Sequence, residues 1–108
     1  MNNYKIDREK WAGLSIFEQM GNIASEVGRA MTAMRRGDKE RMLAALYRGL
    51  DLLDASIEDC AAKKSPKTTE ISRAREQFAD AILTDKDDPA LEQYFMNFAM
   101  AARLRGTT

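Results

Sequence analysis

Apolar residues recur at every third or fourth position along four segments of this chain, the spacing that places them on one face of an α-helix. The first segment starts at Ser15, which stands three residues before Glu18 as in a capping box, and it stops at Gly37. Asp38 can cap the second segment, whose apolar arc covers about half of the helix circumference and predicts a central helix. The predicted core stripes are Ile16, Met20, Ile23, Val27, Met31 and Met34 in the first helix, and Met42, Leu46, Gly49, Leu53, Ile57 and Cys60 in the second.

Proline and polar residues separate the remaining two helical segments. Residues 62–67 form a predicted loop that contains Pro66, and Thr68 or Thr69 is the predicted cap of the third helix. Asp88 directly before Pro89 is typical of an N-cap followed by proline in the first helical turn. The fourth helix is predicted to end at Gly106. The core stripes are Ile71, Ala74, Phe78 and Ile82 in the third helix, and Leu91, Tyr94, Phe95, Phe98, Ala101 and Ala102 in the fourth.

No segment shows the alternation of a β-strand, and valine occurs only at Val27. Short connections favour antiparallel neighbours. The sequence therefore predicts an all-α fold, an antiparallel up-down four-helix bundle over residues 15–106. A short N-terminal lead segment, residues 1–14, is expected to pack on this bundle through Trp11 and Leu14, with a short helical turn between Asp7 and Trp11.

The composition limits the kinds of catalytic and metal-binding site that the chain can form. The 108 residues include 17 Lys plus Arg, 17 Asp plus Glu, one cysteine and no histidine. The absence of histidine from the sequence excludes histidine-based catalysis and histidine metal ligands, and we predict no catalytic residue, no metal site and no cofactor. The acidic pairs, Asp51 with Asp54 and Glu76 with Asp80, lack the E-x-x-E spacing of helical magnesium-dependent phosphohydrolases.

Charge and hydropathy bear on partners and location. A formal net charge of zero argues against a nucleic-acid partner. No apolar run approaches the length of a signal peptide or a membrane span, so we expect a cytoplasmic protein that does not contact the membrane.

The fourth helix carries a second apolar row, formed by Met96, Met100 and Leu104. A peripheral helix needs only one apolar face, so another surface must cover this row. We predict that a second copy of the chain covers it in a homodimer, with the N-terminal segment and a different partner as the alternatives, and the flexible methionines suit a helical partner.

The first helix carries a row of small residues, Gly21, Ser25, Gly28 and Thr32. A glycine inside a helix costs about 1 kcal/mol relative to alanine. Close approach of another helix or of the lead segment would explain the row, and we predict that it forms a partner interface together with Met96, Met100 and Leu104.

Arg75 falls inside the apolar arc of the third helix, and a buried guanidinium requires a partner. Glu26 flanks the core stripe of the first helix, and Asp54 lies at the edge of that of the second. We predict a buried ion pair that fixes the helix register, with Glu26 favoured over Asp54. The alternative is a polar pocket for an anionic ligand.

Three stretches resemble a small uncharacterised prokaryotic family of helical bundles: residues 22–30 (NIASEVGRA), 46–54 (LYRGLDLLD) and 94–103 (YFMNFAMAAR). That family has no assigned activity. More remotely, the size and helical order are similar to HEPN-type domains, which often dimerise and serve as RNases or as partners of nucleotidyltransferase toxins. The HEPN nuclease motif requires histidine, so the resemblance does not imply nuclease activity here.

Together these features predict a non-catalytic helical interaction module that acts through homodimerisation or through binding of a protein partner. The alternative is a HEPN-like RNA- or nucleotide-associated protein without the nuclease motif.

Overall fold

The computed structural model describes residues 6–106, with side chains up to residue 104, and contains five helices and no strand in that range. They are α1 (Arg8–Gly13), α2 (Ile16–Arg35), α3 (Lys39–Ala62), α4 (Thr68–Leu83) and α5 (Pro89–Gly106). The predicted all-α helical bundle is confirmed. Of the predicted lead segment, residues 1–5 lie outside the described residues, and α1 occupies the position of the expected helical turn.

Local hydrogen bonds explain where most helices begin. The Ser15 hydroxyl accepts the Glu18 backbone N–H at 3.1 Å, and the Glu18 carboxylate accepts the Ser15 N–H at 3.1 Å, which completes the predicted capping box. Asp38 and Asp88 each accept the backbone N–H of the third residue that follows, at 3.2 and 3.0 Å, and so cap α3 and α5 as predicted.

The predicted threonine cap of α4 is wrong. Lys67 occupies the N-cap position and makes no side-chain capping bond. The Thr68 hydroxyl instead donates to the Ser65 carbonyl oxygen at 2.9 Å, because Thr68 already lies inside the first helical turn.

Helix α2 lies between α3 and α5 and runs antiparallel to both. Glu26 bonds to Arg48 on α3, and Gly21 lies against Ala99 on α5, whereas Arg35 at the opposite end of α2 reaches the first turn of α5. Helix α4 packs on α3, and α1 covers the C-terminal half of α3. Both α2 and α3 therefore have several neighbours.

The core is one apolar cluster in which the predicted stripes meet. The rings of Phe78 on α4 and Phe95 on α5 pack edge to face with their centroids 6.3 Å apart, and both side chains are fully buried. The other large, fully buried apolar side chains are Met20, Ile23, Val27, Met31, Leu46, Leu53, Ile71 and Ile82. Between residues 6 and 106, no helix combines the length and the hydropathy that a membrane crossing requires.

Candidate interaction groove

A groove of about 840 Å³, here called the α2 groove, runs along the side of α2 that the core leaves uncovered. Its floor contains Ser25, Gly28 and Thr32, and its walls come from α3 and α5. A Cβ atom added to Gly28 would meet no heavy atom within 4 Å. No contact inside the described chain therefore accounts for the small side chain at position 28.

The predicted apolar row adjoins the α2 groove. Met96 is part of the groove wall, and Met100 and Leu104 continue the row outward along α5. The three residues are 41%, 54% and 67% exposed, respectively. Residues 6–14 do not cover them, since α1 packs on α3. Six of the seven residues predicted as a partner interface thus either line the groove or extend from its wall.

Gly21 is the exception among the predicted interface residues. A Cβ atom at this position would lie 3.4 Å from the Ala99 Cα atom and 3.9 Å from the Ala102 Cβ atom. Gly21 therefore lets α5 approach α2 within the chain, which is the close helix approach that the sequence analysis gave as one reason for the row.

Arginine dominates the charge of the α2 groove. Five arginines belong to its lining, against two carboxylates, those of Asp38 and Glu92. The antiparallel packing of α2, α3 and α5 brings these arginines together from three helices. The five are Arg29, Arg36, Arg41, Arg48 and Arg103.

Glu26 is buried next to the α2 groove, with 6% of its surface exposed. One of its carboxylate oxygens accepts a hydrogen bond from Arg29 Nη1 at 2.9 Å, and the other accepts one from Arg48 Nε at 2.9 Å. The carboxylate thus holds one guanidinium from α2 and one from α3 at the same end of the groove.

The favoured pairing of Glu26 with Arg75 is wrong, and Asp54 is the partner. Arg75 Nε and Nη2 donate to the two oxygens of Asp54 at 2.5 and 3.4 Å, and this ion pair raises the pKa of Arg75. The side chains of Arg75 and Asp54 are 28% and 45% exposed, so the pair is not buried. Neither residue lines the α2 groove. The structure therefore ties α3 to α4 here and offers no support for an anion pocket at Arg75.

A double-mutant cycle tests these pairings. We expect a coupling free energy of up to about 1 kcal/mol between Arg75→Leu and Asp54→Leu, since the pair is half-exposed. The coupling between Arg75→Leu and Glu26→Leu should be zero within error. Urea unfolding of the single and double variants measures both values, and coupling of Arg75 to Glu26 instead would contradict the structure.

A second network fixes the C-terminal end of α2. Arg35 donates to Asp87 at 2.8 Å and to Glu92 at 2.6 Å, and the bond from Arg35 lowers the pKa of Asp87. Glu92 is therefore already paired where it borders the α2 groove. This network holds the connection between α4 and α5 against α2.

A buried polar cluster around Gln19 is not predicted by the sequence pattern, because Gln19 is a polar residue outside the apolar stripe of its helix. Gln19 and Ser56 are fully buried. The Trp11 indole N–H donates to Ser56 Oγ at 3.1 Å, Ser56 donates to Gln19 Oε1 at 2.8 Å, and Gln19 Nε2 donates back to the Trp11 carbonyl oxygen at 2.8 Å. Gln19 also reaches Asp59 at 3.2 Å, and bonds from Lys63 and Gln19 lower the pKa of Asp59. This cluster joins α1, α2 and α3.

Other groups that could carry chemistry do not converge. Among the described residues, no three Asp, Glu or Cys side chains lie close enough to hold a metal ion. Burial raises the pKa of the Cys60 thiol. A second groove of about 620 Å³ between α4 and α5 is lined by charges of both signs, and Tyr94 donates to Glu70 at 2.9 Å across it.

Comparison of the chain with family models, with curated proteins and with solved structures finds no match. The resemblance to HEPN-type domains and to a prokaryotic bundle family stays a prediction.

Proposed function

We propose that this protein is a non-catalytic interaction module whose binding surface is the α2 groove together with the apolar row of Met96, Met100 and Leu104. The observation that supports the proposal most is the position of this row, which leaves large apolar side chains exposed at the edge of a preformed groove. Exposed apolar surface beside a concave site is typical of protein-binding surfaces.

The small side chains on the groove floor add to this argument. A glycine inside a helix lowers helix stability by about 1 kcal/mol relative to alanine. Gly28 brings this cost although no neighbour within 4 Å among the described residues requires it. Close approach by a binding partner supplies the missing reason.

Site-specific photocrosslinking in the protein's own cells tests the proposal. A benzophenone amino acid at position 100 should give adducts of discrete mass. The same substitution at Leu83, which is 64% exposed at the end of α4, is the matched control and should give none. An absent adduct at position 100, or the same adducts at both positions, would contradict the proposal.

The adduct mass also identifies the kind of partner. An adduct of twice the chain mass would indicate a second copy, and any other discrete mass would indicate a different protein.

A nucleic-acid partner is the second candidate function, supported by the arginines of the α2 groove. It predicts adducts at position 100 that nuclease treatment removes.

A further inference from the structure

The arginines of the α2 groove retain donors for a ligand. A guanidinium has five N–H donors, and Arg29 and Arg48 each use one on Glu26. The Arg29 side chain is 63% exposed, and that of Arg48 is 31% exposed. Glu26 thus orients both groups while the rest of their donors stay available, which reduces the conformational entropy lost when an anion binds.

Two further arginines of the groove form no ion pair with another described residue. Within residues 6–104, neither Arg36 nor Arg103 has a carboxylate within ion-pair distance, whereas both groove carboxylates are paired, Asp38 with Arg41 and Glu92 with Arg35. The unpaired charge of the groove is therefore positive along its length, from Arg36 at one end to Arg103 at the other.

The dimensions and lining of the groove suit a helix. On α5 the wall extends from Glu92 to Arg103, which is about 16 Å or three helical turns. The floor of Ser25, Gly28 and Thr32 lets a backbone approach closely, and Met96 provides an adaptable apolar contact.

From these features we propose that the α2 groove binds an acidic amphipathic helix of a partner protein. The apolar face of that helix packs on Met96 and on the groove floor, and its flanking carboxylates bond to Arg36, Arg103 and the two arginines held by Glu26. This inference rests on the proposed function, and it specifies the chemistry of the partner.

A second copy of the chain fits this surface poorly. A two-fold symmetric dimer brings the same patch of both subunits together, and here it would place arginines against arginines. Like charges that face each other across an interface cost several kcal/mol. Charge complementarity thus favours an acidic partner.

The lining also favours a helix over single-stranded nucleic acid. Proteins that bind single strands stack the bases on aromatic side chains. Among the described residues, the lining of the α2 groove contains no aromatic side chain. Its floor of small side chains matches the close packing of a helix instead.

A synthetic helical peptide is the probe for this inference. The peptide has about 16 residues, with leucines at helical spacing on one face and glutamates flanking them. A second peptide replaces every glutamate by lysine. We expect the acidic peptide to bind with a dissociation constant below about 100 μM by fluorescence anisotropy, more weakly as salt rises, and the lysine peptide not to bind.

Two charge-matched double variants locate the binding site. Arg36→Glu with Arg103→Glu should weaken binding of the acidic peptide at least about ten-fold. Lys10→Glu with Arg73→Glu is the control, and it changes the net charge by the same amount. Both residues lie outside the α2 groove, and neither forms an ion pair with another described residue. The affinity of this variant for the acidic peptide should stay within about two-fold of the wild type. Equal loss in both variants would overturn the inference.

Glu26 has the role of a positioning residue, and Glu26→Gln tests it. If only net charge mattered, removal of a negative charge would strengthen binding of the acidic peptide. Because the glutamine amide NH₂ cannot accept a hydrogen bond, one arginine loses its anchor, and we expect binding about three-fold weaker or more. Tighter binding would contradict the positioning role.

The remaining outcomes separate the two proposals. Any of three results would overturn the acidic-helix inference. The acidic peptide does not bind, a short oligouridylate binds more tightly than the acidic peptide, or the wild type is a dimer that Met100→Asp dissociates in sedimentation. Discrete adducts from position 100 alongside any of these would leave the proposed interaction function standing. Absence of adducts from position 100 contradicts that function itself.

Discussion

Replacement of Gln19 by leucine should lower the free energy of unfolding by about 1–3 kcal/mol, because the buried Ser56 hydroxyl is left without its acceptor. Leucine has a similar volume, so the loss reports hydrogen bonds more than packing. The Trp11 carbonyl oxygen loses the donor Gln19 Nε2 but keeps the Leu14 backbone N–H at 3.1 Å. A buried polar group without a partner costs about 1–3 kcal/mol.

Asn22→Leu is the matched control for this change. Asn22 lies on α2 three residues from Gln19 and is exposed, so its replacement should change stability by less than about 0.5 kcal/mol. Urea unfolding measures both variants through far-ultraviolet circular dichroism and through the fluorescence of Trp11, the single tryptophan. Equal losses in the two variants would show that the cluster does not hold α1 on α2 and α3.

The same cluster predicts part of the pH dependence of stability. The pKa of Asp59 is lowered in the folded protein, first by Lys63 and then by Gln19. Because its folded-state pKa lies below the unfolded value of 3.8, the Asp59 carboxylate stabilises the folded protein at pH values above 3.8. This contribution is lost as the pH falls through the folded-state pKa. The Gln19→Leu variant should show less of this acid-dependent loss.

The second large effect concerns Gly49. A Cβ atom at Gly49 would lie 2.9 Å from Phe78 Cε2, closer than carbon atoms pack, and 3.5 Å from the Glu26 Cβ atom. The Phe78 ring is fully buried and packs edge to face against Phe95. Overpacking costs about 1–3 kcal/mol, and the better helix propensity of alanine recovers up to about 1 kcal/mol. We therefore expect Gly49→Ala to destabilise the protein by about 1–2 kcal/mol.

Gly28→Ala is the opposite case on the neighbouring helix. Because no described residue contacts the added Cβ atom within 4 Å, the substitution should stabilise the chain by about 0.5–1 kcal/mol. Thermal or urea unfolding of the two variants measures changes of opposite sign. Destabilisation by Gly28→Ala would remove the argument that this glycine serves a binding partner, and a neutral Gly49→Ala would show that Phe78 yields more easily than its packing indicates.

Gly21 and Gly28 look alike in the sequence, since both belong to the row of small residues on α2. Whether a missing side chain serves internal packing or an open surface depends on the neighbouring helix. Ala99 on α5 closes the space above Gly21, whereas no element within the described chain reaches Gly28. Spacing along one helix contains no information about that neighbour.

The choice of the ion-pair partner of Arg75 also depends on a neighbouring helix. Arg75 was correctly expected to need an acidic partner, but the choice between Glu26 and Asp54 depends on how far α4 is rotated about its axis. In the structure this rotation turns Arg75 outward to Asp54, and Glu26 bonds to Arg48 instead. A helical arc read from the sequence leaves an uncertainty of one or two positions at its edges, which is enough to exchange the two carboxylates.

By itself, the sequence determined the helices, most of their caps, the core stripes and the exposed apolar row of Met96, Met100 and Leu104. These features depend on hydrogen bonds and spacings within about four residues, the distance over which a helix forms its own bonds. Only the tertiary structure decided that Gln19 is buried, that Arg75 pairs with Asp54, and that arginines from α2, α3 and α5 line one groove. Those outcomes depend on contacts between side chains that are distant in the chain. The packing and rotation of whole helices determine these contacts.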